Sequence, residues 1–370
     1  MNKNPKEYWN IIKSFKKKSN GQENIPEILK DKSVIIEHFQ KQGNPSHFNS
    51  NFKKEIENQL KTMEEDMMYK AESDSTVIYK EIKKAIFDLK KGKSAGPDRI
   101  LNEVIKYTNP VIINSYMKIF NVILKTGIYP KSWKESFTIP IYKSGDKNEP
   151  NNYKGVSLMN CLPKIVNTIL NNRLIKIIED QLSNSQFGFR ENHRTADSIF
   201  FVLTSLINKY IHKNKKKIYA CFVDLRKTFD SVWREALLYK LCKMGVGLHF
   251  FKLLKEQHLN TTSSLKHKDQ HSVLFTISRG VKQGTRLITP TLFNVFINDI
   301  TKHFENNKST PLKLIDSNIS CLLFADDLLI LSETKEGLQH RLNNLSNYCD
   351  NWQLDINVNK TNSMIFQKRN

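Results

Sequence analysis

Residues 321 to 331 read CLLFADDLLIL: two adjacent aspartates, Asp326 and Asp327, set inside a run of nine apolar residues. Taking an unpaired carboxylate out of water costs on the order of several kcal/mol, so a fold accepts this pattern only where something compensates. The flanking runs have the length of short buried strands, which predicts strand, tight turn, strand, with both aspartates at the turn. A second stretch, YACFVDLRKTFDSV, is β-prone and apolar from Tyr219 to Val223 and then stops at Asp224. Adjacency of the strands beginning at 219 and 321 would bring Asp224 to Asp326. Carboxylates so gathered repel one another and call for cations. Magnesium suits them, being hard and octahedral and commonly held by one or two carboxylates plus substrate phosphates. A plainer arrangement stays open from these residues alone. Aspartate is a common turn residue, and Asp224 has the right place to cap a helix holding Arg226 and Asp230.

The charge balance bears on the choice. The 370 residues carry 58 Lys+Arg against 37 Asp+Glu, a formal charge of +21. Such a surface favours a polyanion, nucleic acid first, because backbone phosphates reward many lysines. Lysine-rich solubility is the competing explanation. The five cysteines (161, 221, 242, 321 and 349) are scattered and never in C-x-x-C spacing. That speaks against a disulfide framework or a zinc site. The first 20 residues lack an apolar h-region, and no stretch approaches 18 apolar residues, so the expected location is intracellular, nucleus or cytoplasm.

Along the chain, residues 1–75 read as a polar lead-in, helical or partly disordered. Ile82, Ala85, Ile86 and Leu89 then recur at helical spacing, with Ser75 or Thr76 as the expected cap. Further helices follow, one stopped by Gly127, and a strand, a Gly145-Asp146 turn and a return strand lie in ESFTIPIYKSGDKNEPNNYKGVSL. From about 216 strands alternate with helices. The expected class is α+β: a helical first half, then an antiparallel sheet backed by helices.

Seven motifs in fixed order resemble the reverse transcriptase domain of non-LTR (LINE-type, jockey-like) retrotransposons across roughly residues 75 to 367. They are LKKGKSAGPDRI, IPIYKSGDKNEPNNYKGVSLMNCLPKIVNTILNNRL, SQFGFRENHRTADSI, FVDLRKTFDSV, RGVKQGTRLITPTLFNVFINDI, FADD and WQLDINVNKTNSMIF. The resemblance implies a right-hand polymerase, with fingers over 76–215, a palm over 216–370 whose antiparallel sheet is backed by helices, and a thumb largely absent. It implies RNA-directed DNA synthesis with two Mg²⁺ ions, or Mn²⁺, using an RNA template, a DNA primer or target DNA, and deoxynucleoside triphosphates. Two such ions about 3.5–4 Å apart activate a 3′ hydroxyl and stabilise the leaving pyrophosphate.

By position, Asp224 and Asp326 match the metal-binding pair and Asp327 the third acid of the family. Phe229 matches the aromatic that excludes a ribose 2′-hydroxyl. Lys143 and Lys154 match positions near the incoming triphosphate, where cations offset charge on the leaving phosphates. Gln283 and Gly284 match the loop touching the nascent pair, Arg190 a template-side arginine, and Lys360 the general acid for pyrophosphate.

Some positions depart from the family pattern. QGTRLITP carries one extra residue before Pro290. Arg99 and Gln353 stand where glycine is usual, and Lys154 stands where arginine is commoner. These departures carry an alternative expectation, a truncated and catalytically inactive element remnant that only binds RNA.

Overall fold

The computed structural model describes residues 26–69, 76–191, 193, 203–267, 270–281, 288–305, 311–314 and 317–368. It is an α+β architecture. The longer helices are α1 (Lys32–Lys41), α2 (Ser50–Tyr69), α3 (Tyr79–Asp88), α4 (Pro110–Thr126), α5 (Cys161–Ile178), α6 (Arg234–Lys243), α7 (Leu248–His258), α8 (Ile288–Ile297) and α9 (Lys335–Trp352). The strands are β1 (Glu135–Tyr142), β2 (Tyr153–Met159), β3 (Ile218–Asp224), β4 (Thr261–His267), β5 (Gln270–Ile277), β6 (Leu312–Leu314), β7 (Ser317–Ile319), β8 (Cys321–Phe324), β9 (Asp327–Ser332) and β10 (Asn362–Phe366).

One sheet runs in the order β10-β3-β9-β8, every pair antiparallel. Its strands explain the unbroken apolar runs. Cys221, Val223, Cys321, Leu323, Leu328 and Ile330 enter the main hydrophobic core, whereas Ile218, Ala220, Leu322, Leu329 and Leu331 enter a second cluster. Alternate residues point to opposite faces, so a strand buried on both sides reads as continuous hydrophobicity. α9 covers the first face through Leu338, Leu345, Tyr348 and Trp352, and α8 is buried along its whole length beside it.

The strand from 219 does not lie directly beside the strand from 321. The neighbour of β3 is β9, the return arm of the hairpin, and β8 lies one strand further out. The acids still meet, because register pairs Asp224 directly with Asp327.

A second sheet, β2-β1-β4-β5, is mixed. β1 and β2 form the expected hairpin, and β1 also pairs in parallel with β4, Glu135 opposite Thr262 through Thr138 opposite Leu265. This pairing stitches the two halves of the chain together. The lead-in also packs on this body. Ile35 and Phe39 of α1 bury against Tyr153, Leu265 and Phe275, and Phe52 of α2 meets Trp352 edge-on at 5.0 Å.

α3 starts at Tyr79, later than the expected cap. Glu81 reaches back to accept from the Ile78 N–H at 3.0 Å and supplies the missing cap, while Ser75 lies outside the described residues. Gly127 does terminate α4, in the left-handed conformation at φ 72°. Among the described residues no helix is long and apolar enough to cross a membrane.

Candidate active site

The β8–β9 hairpin turns through two residues, Ala325 and Asp326, because Phe324 pairs with Asp327. Ala325 takes φ +59°, as the first central residue of tight hairpin turns often must. Asp327 is therefore the first residue of β9 and faces solvent, while Asp326 occupies the turn and is half-buried. Asp224 closes β3 opposite Asp327.

Both inner acids are held by neighbours. Asn357 Nδ2 donates to Asp224 Oδ2 at 2.7 Å, and the Asn357 N–H donates to the Asp224 carbonyl at 2.8 Å. Thr228 Oγ1 donates to Asp326 Oδ2 at 3.5 Å. Desolvation first, then the charges of Asp326 and Asp224, raise the Asp327 carboxyl above its ordinary range.

A cleft of about 950 Å³ opens over Asp224 and Asp326, while Asp327 does not line it. Its walls include Asp224, Asp326, Lys143, Lys154, Phe229 and Lys360. The fold thus brings six of the sequence-predicted residues to one cavity from four separate segments. Phe229 lines the cleft while its ring packs at 5.1 Å from Phe293, so the core fixes its orientation. Lys143 and Lys154 are exposed near the turn end of the β1–β2 hairpin, where Ile141 pairs with Lys154. Lys360 is exposed in a turn closed by its own N–H to the Asn357 carbonyl at 3.0 Å.

Arg190 sits elsewhere. Its guanidinium pairs with Glu179 at 2.8 Å and donates to the carbonyls of Ser183 and Gln186, and its side chain is buried. It does not line the cleft. Gln283 and Gly284 lie outside the described residues, and the last three residues of QGTRLITP already belong to α8.

Several contributors were not anticipated. Asn357 belongs to a recognised motif, but only the folded register shows that it grips Asp224. The lead-in supplies a whole wall through Glu37, His38, Lys41, Gln42 and Asn44. Gln42 Nε2 donates to Asp230 Oδ2 at 2.6 Å, and His38 Nε2 lies 3.1 Å from Lys227 Nζ. Burial and then the Lys227 charge push His38 down to about 4, and desolvation lowers Lys227 in turn. The helical pattern of the lead-in predicts a helix here but not these polar contacts.

The donor set fits a hard divalent cation. Asp224 and Asp326 offer carboxylate oxygens, lysines stand where anionic ligands would approach, and a thiol or imidazole set is not drawn together. Among the described residues, no group of three or more His, Cys, Asp or Glu is compact enough to hold an ion by itself.

An α+β fold with paired carboxylates under a lysine-lined cleft defines a class of phosphoryl-transfer enzyme sites. Residues 141–369 match the family described as reverse transcriptase (RNA-dependent DNA polymerase), and the chain belongs to it. It is similar to the RNA-directed DNA polymerase from mobile element jockey of Drosophila melanogaster, 29% identical over 305 residues, 80% of this chain and 32% of the relative. The jockey polymerase of Drosophila funebris is 28% identical over 301 residues, 78% of this chain and 32% of the relative. The Pol polyprotein of the type-2 retrotransposable element R2DM of Drosophila melanogaster is 28% identical over 267 residues, 72% of this chain and 24% of the relative. The chain thus spans about a third or less of the length of these relatives.

Proposed function

We propose that this chain is the RNA-directed DNA polymerase domain of a non-LTR retrotransposon, extending a DNA 3′ end with deoxynucleotides on an RNA template. One observation carries the reading: Asp224 and Asp326 open into the same cleft as Lys143, Lys154, Phe229 and Lys360. On this reading residues 76–215 act as fingers and residues 216–370 as palm, with the β10-β3-β9-β8 sheet as the palm floor.

Asp224 and Asp326 would hold Mg²⁺, with Asp327 as the third acid. When bound, the ion supplies Lewis-acid stabilisation of charge on the reacting phosphate. Lys143 and Lys154 would bind the triphosphate. The flat face of Phe229 would exclude a 2′-hydroxyl by contact, and the Lys360 ammonium would donate a proton to the departing pyrophosphate. The resemblance assigns Gln283 and Gly284 to the nascent pair; Arg190, its guanidinium buried against Glu179, would serve the template side by holding the 179–190 segment rather than by touching the template.

Primer extension by the purified chain on an RNA template with Mg²⁺ and deoxynucleotides, run beside Asp326→Ala, tests this. Extension that disappears in the variant supports the reading. No extension by either protein, with salt-sensitive RNA binding retained, supports instead a remnant that binds RNA without chemistry.

A further inference from the structure

The acids sit on a turn whose geometry is sustained from behind. Ala325 lies at φ +59°, a region that residues with a Cβ rarely enter. In a two-residue hairpin loop the ladder pairs the flanking residues, so the N–H of the first turn residue has no partner within the hairpin. Here that partner comes from elsewhere. Ser185 to Phe187 run alongside β8, with Leu323 N–H donating to the Ser185 carbonyl at 2.8 Å and Phe187 N–H to the Leu323 carbonyl at 2.9 Å. Between them Gln186, 1% exposed, turns its Oε1 to the N–H of Ala325 at 3.3 Å and of Gly188 at 2.9 Å.

Gly188 then presses on the turn. A Cβ added there would stand 2.2 Å from the Ala325 nitrogen, so only glycine allows this approach. The Gly188 carbonyl accepts from Asn294 Nδ2 at 2.8 Å, and Asn294 is 1% exposed on the buried helix α8. A continuous relay therefore runs from the core through Asn294, Gly188 and Gln186 to Ala325, one residue before Asp326. None of the three lines the cleft. A side chain needed only for packing would not carry a buried amide, whose desolvation an apolar residue of similar volume avoids.

We propose that Gln186 is a positioning residue for the polymerase reaction. It caps the Ala325 N–H and locks the turn that aims Asp326, with Gly188 and Asn294 as its support. The inference rests on the polymerase reading above and adds to it a residue that touches no substrate.

The test pairs Gln186→Met, similar in size but without the acceptor, with Gln186→Glu, which keeps an acceptor oxygen. Both are assayed beside wild type for primer extension, primer–template binding by fluorescence anisotropy, and hydrogen exchange of a peptide spanning 321–331. Gln186→Met is expected to lower kcat by roughly 10- to 100-fold, the scale of a small misplacement of reacting groups. The KM for deoxynucleotide and the affinity for primer–template should stay within about threefold, as expected when binding determinants are untouched. Gln186→Glu should recover most of the lost kcat, and exchange within 321–331 should accelerate in the Met variant alone. Asn294→Ala, one step back along the relay, should show the same pattern more weakly, and serves if Gln186→Met does not fold.

Unchanged kcat in Gln186→Met, or unchanged exchange in 321–331, overturns the proposal. A loss that the Glu variant does not recover also overturns it, because the acceptor would then not be the operative feature. Wild-type protein that never extends a primer points to failure of the polymerase reading, while the exchange measurement still decides whether Gln186 secures the turn.

Discussion

Two hairpins face each other across the cleft, and they are built in opposite ways. The β8–β9 hairpin is buried on both faces, and its turn is fixed by Gln186, Thr228 and Gly188. The β1–β2 hairpin ends in exposed residues from Ile141 to Glu149, shaped chiefly by its own bonds, such as Asn152 Nδ2 to the Asp146 carbonyl at 2.9 Å. The first carries the acids and the second carries Lys143 and Lys154. On the proposed reading, the groups that would hold an ion sit on core, and the groups that would receive a charged substrate sit on an exposed loop.

The contrast can be broken most severely at the rigid side. Asp326→Ala should reduce primer extension by roughly 10³-fold or more while leaving RNA affinity unchanged, read by gel extension and anisotropy together. Gly188→Ala should come next. Forcing a Cβ against the Ala325 backbone should cost about 1–3 kcal/mol, seen as a lower thermal midpoint together with reduced extension.

At the exposed side, Lys154→Ala should raise the deoxynucleotide KM about tenfold with a smaller change in kcat. Lys154→Arg should lower that KM severalfold, since a guanidinium grips phosphate in two places. Equal losses of kcat on both hairpins would erase the distinction drawn between them.

Two smaller effects concern charge. Asp327→Asn removes one of three like charges and should raise the thermal midpoint of the metal-free protein at neutral pH by a degree or so. The sign follows from the raised Asp327 carboxyl: folding disfavours its ionised form, so its penalty grows as pH rises through the folded value. His38 works the other way. Its folded value of about 4 lies below the ordinary imidazole value of 6.5, so the unfolded chain takes up the proton first as pH falls. Stability should decline between about pH 6.5 and 4, and His38→Gln should flatten that decline in acid titrations followed by circular dichroism.

The acids were readable from sequence because an aspartate in an apolar strand is costly and therefore conspicuous. The glycine departures were readable too. Arg99 and Gln353 both adopt positive φ, +59° in each case, where glycine would sit without strain. Gln353 shows how one of them is accommodated: its Oε1 accepts from Arg279 Nη1 at 2.6 Å, and Arg279 in turn holds the Ser231 carbonyl at 2.9 Å. What stayed hidden depends on single contacts without a period. Gln186 answers a backbone N–H, which has no sequence signature. The lead-in docks through Gln42, through the backbone of Gly43 against Asp230, and through Ser46 on Asp355 at 2.8 Å. Its polar composition reads as a solvated tail. The neighbour of β3 stayed open as well, because the periodicity of a strand does not say which arm of a hairpin it will pair with.

The parallel seam between β1 and β4 has a consequence for how the chain comes to be folded. Glu135 and Thr262 are 127 positions apart, so the β1–β2 hairpin emerges from the ribosome long before its second partner exists. During that interval the free flank of β1 is an open edge, able to pair with another nascent chain. At synthesis rates of roughly 5–20 residues per second the exposure lasts several seconds. The long sequence separation also slows refolding from denaturant, since closing so large a loop precedes any reward from pairing. Yield of soluble protein should therefore respond to translation speed and to nascent-chain density before it responds to changes in the cleft.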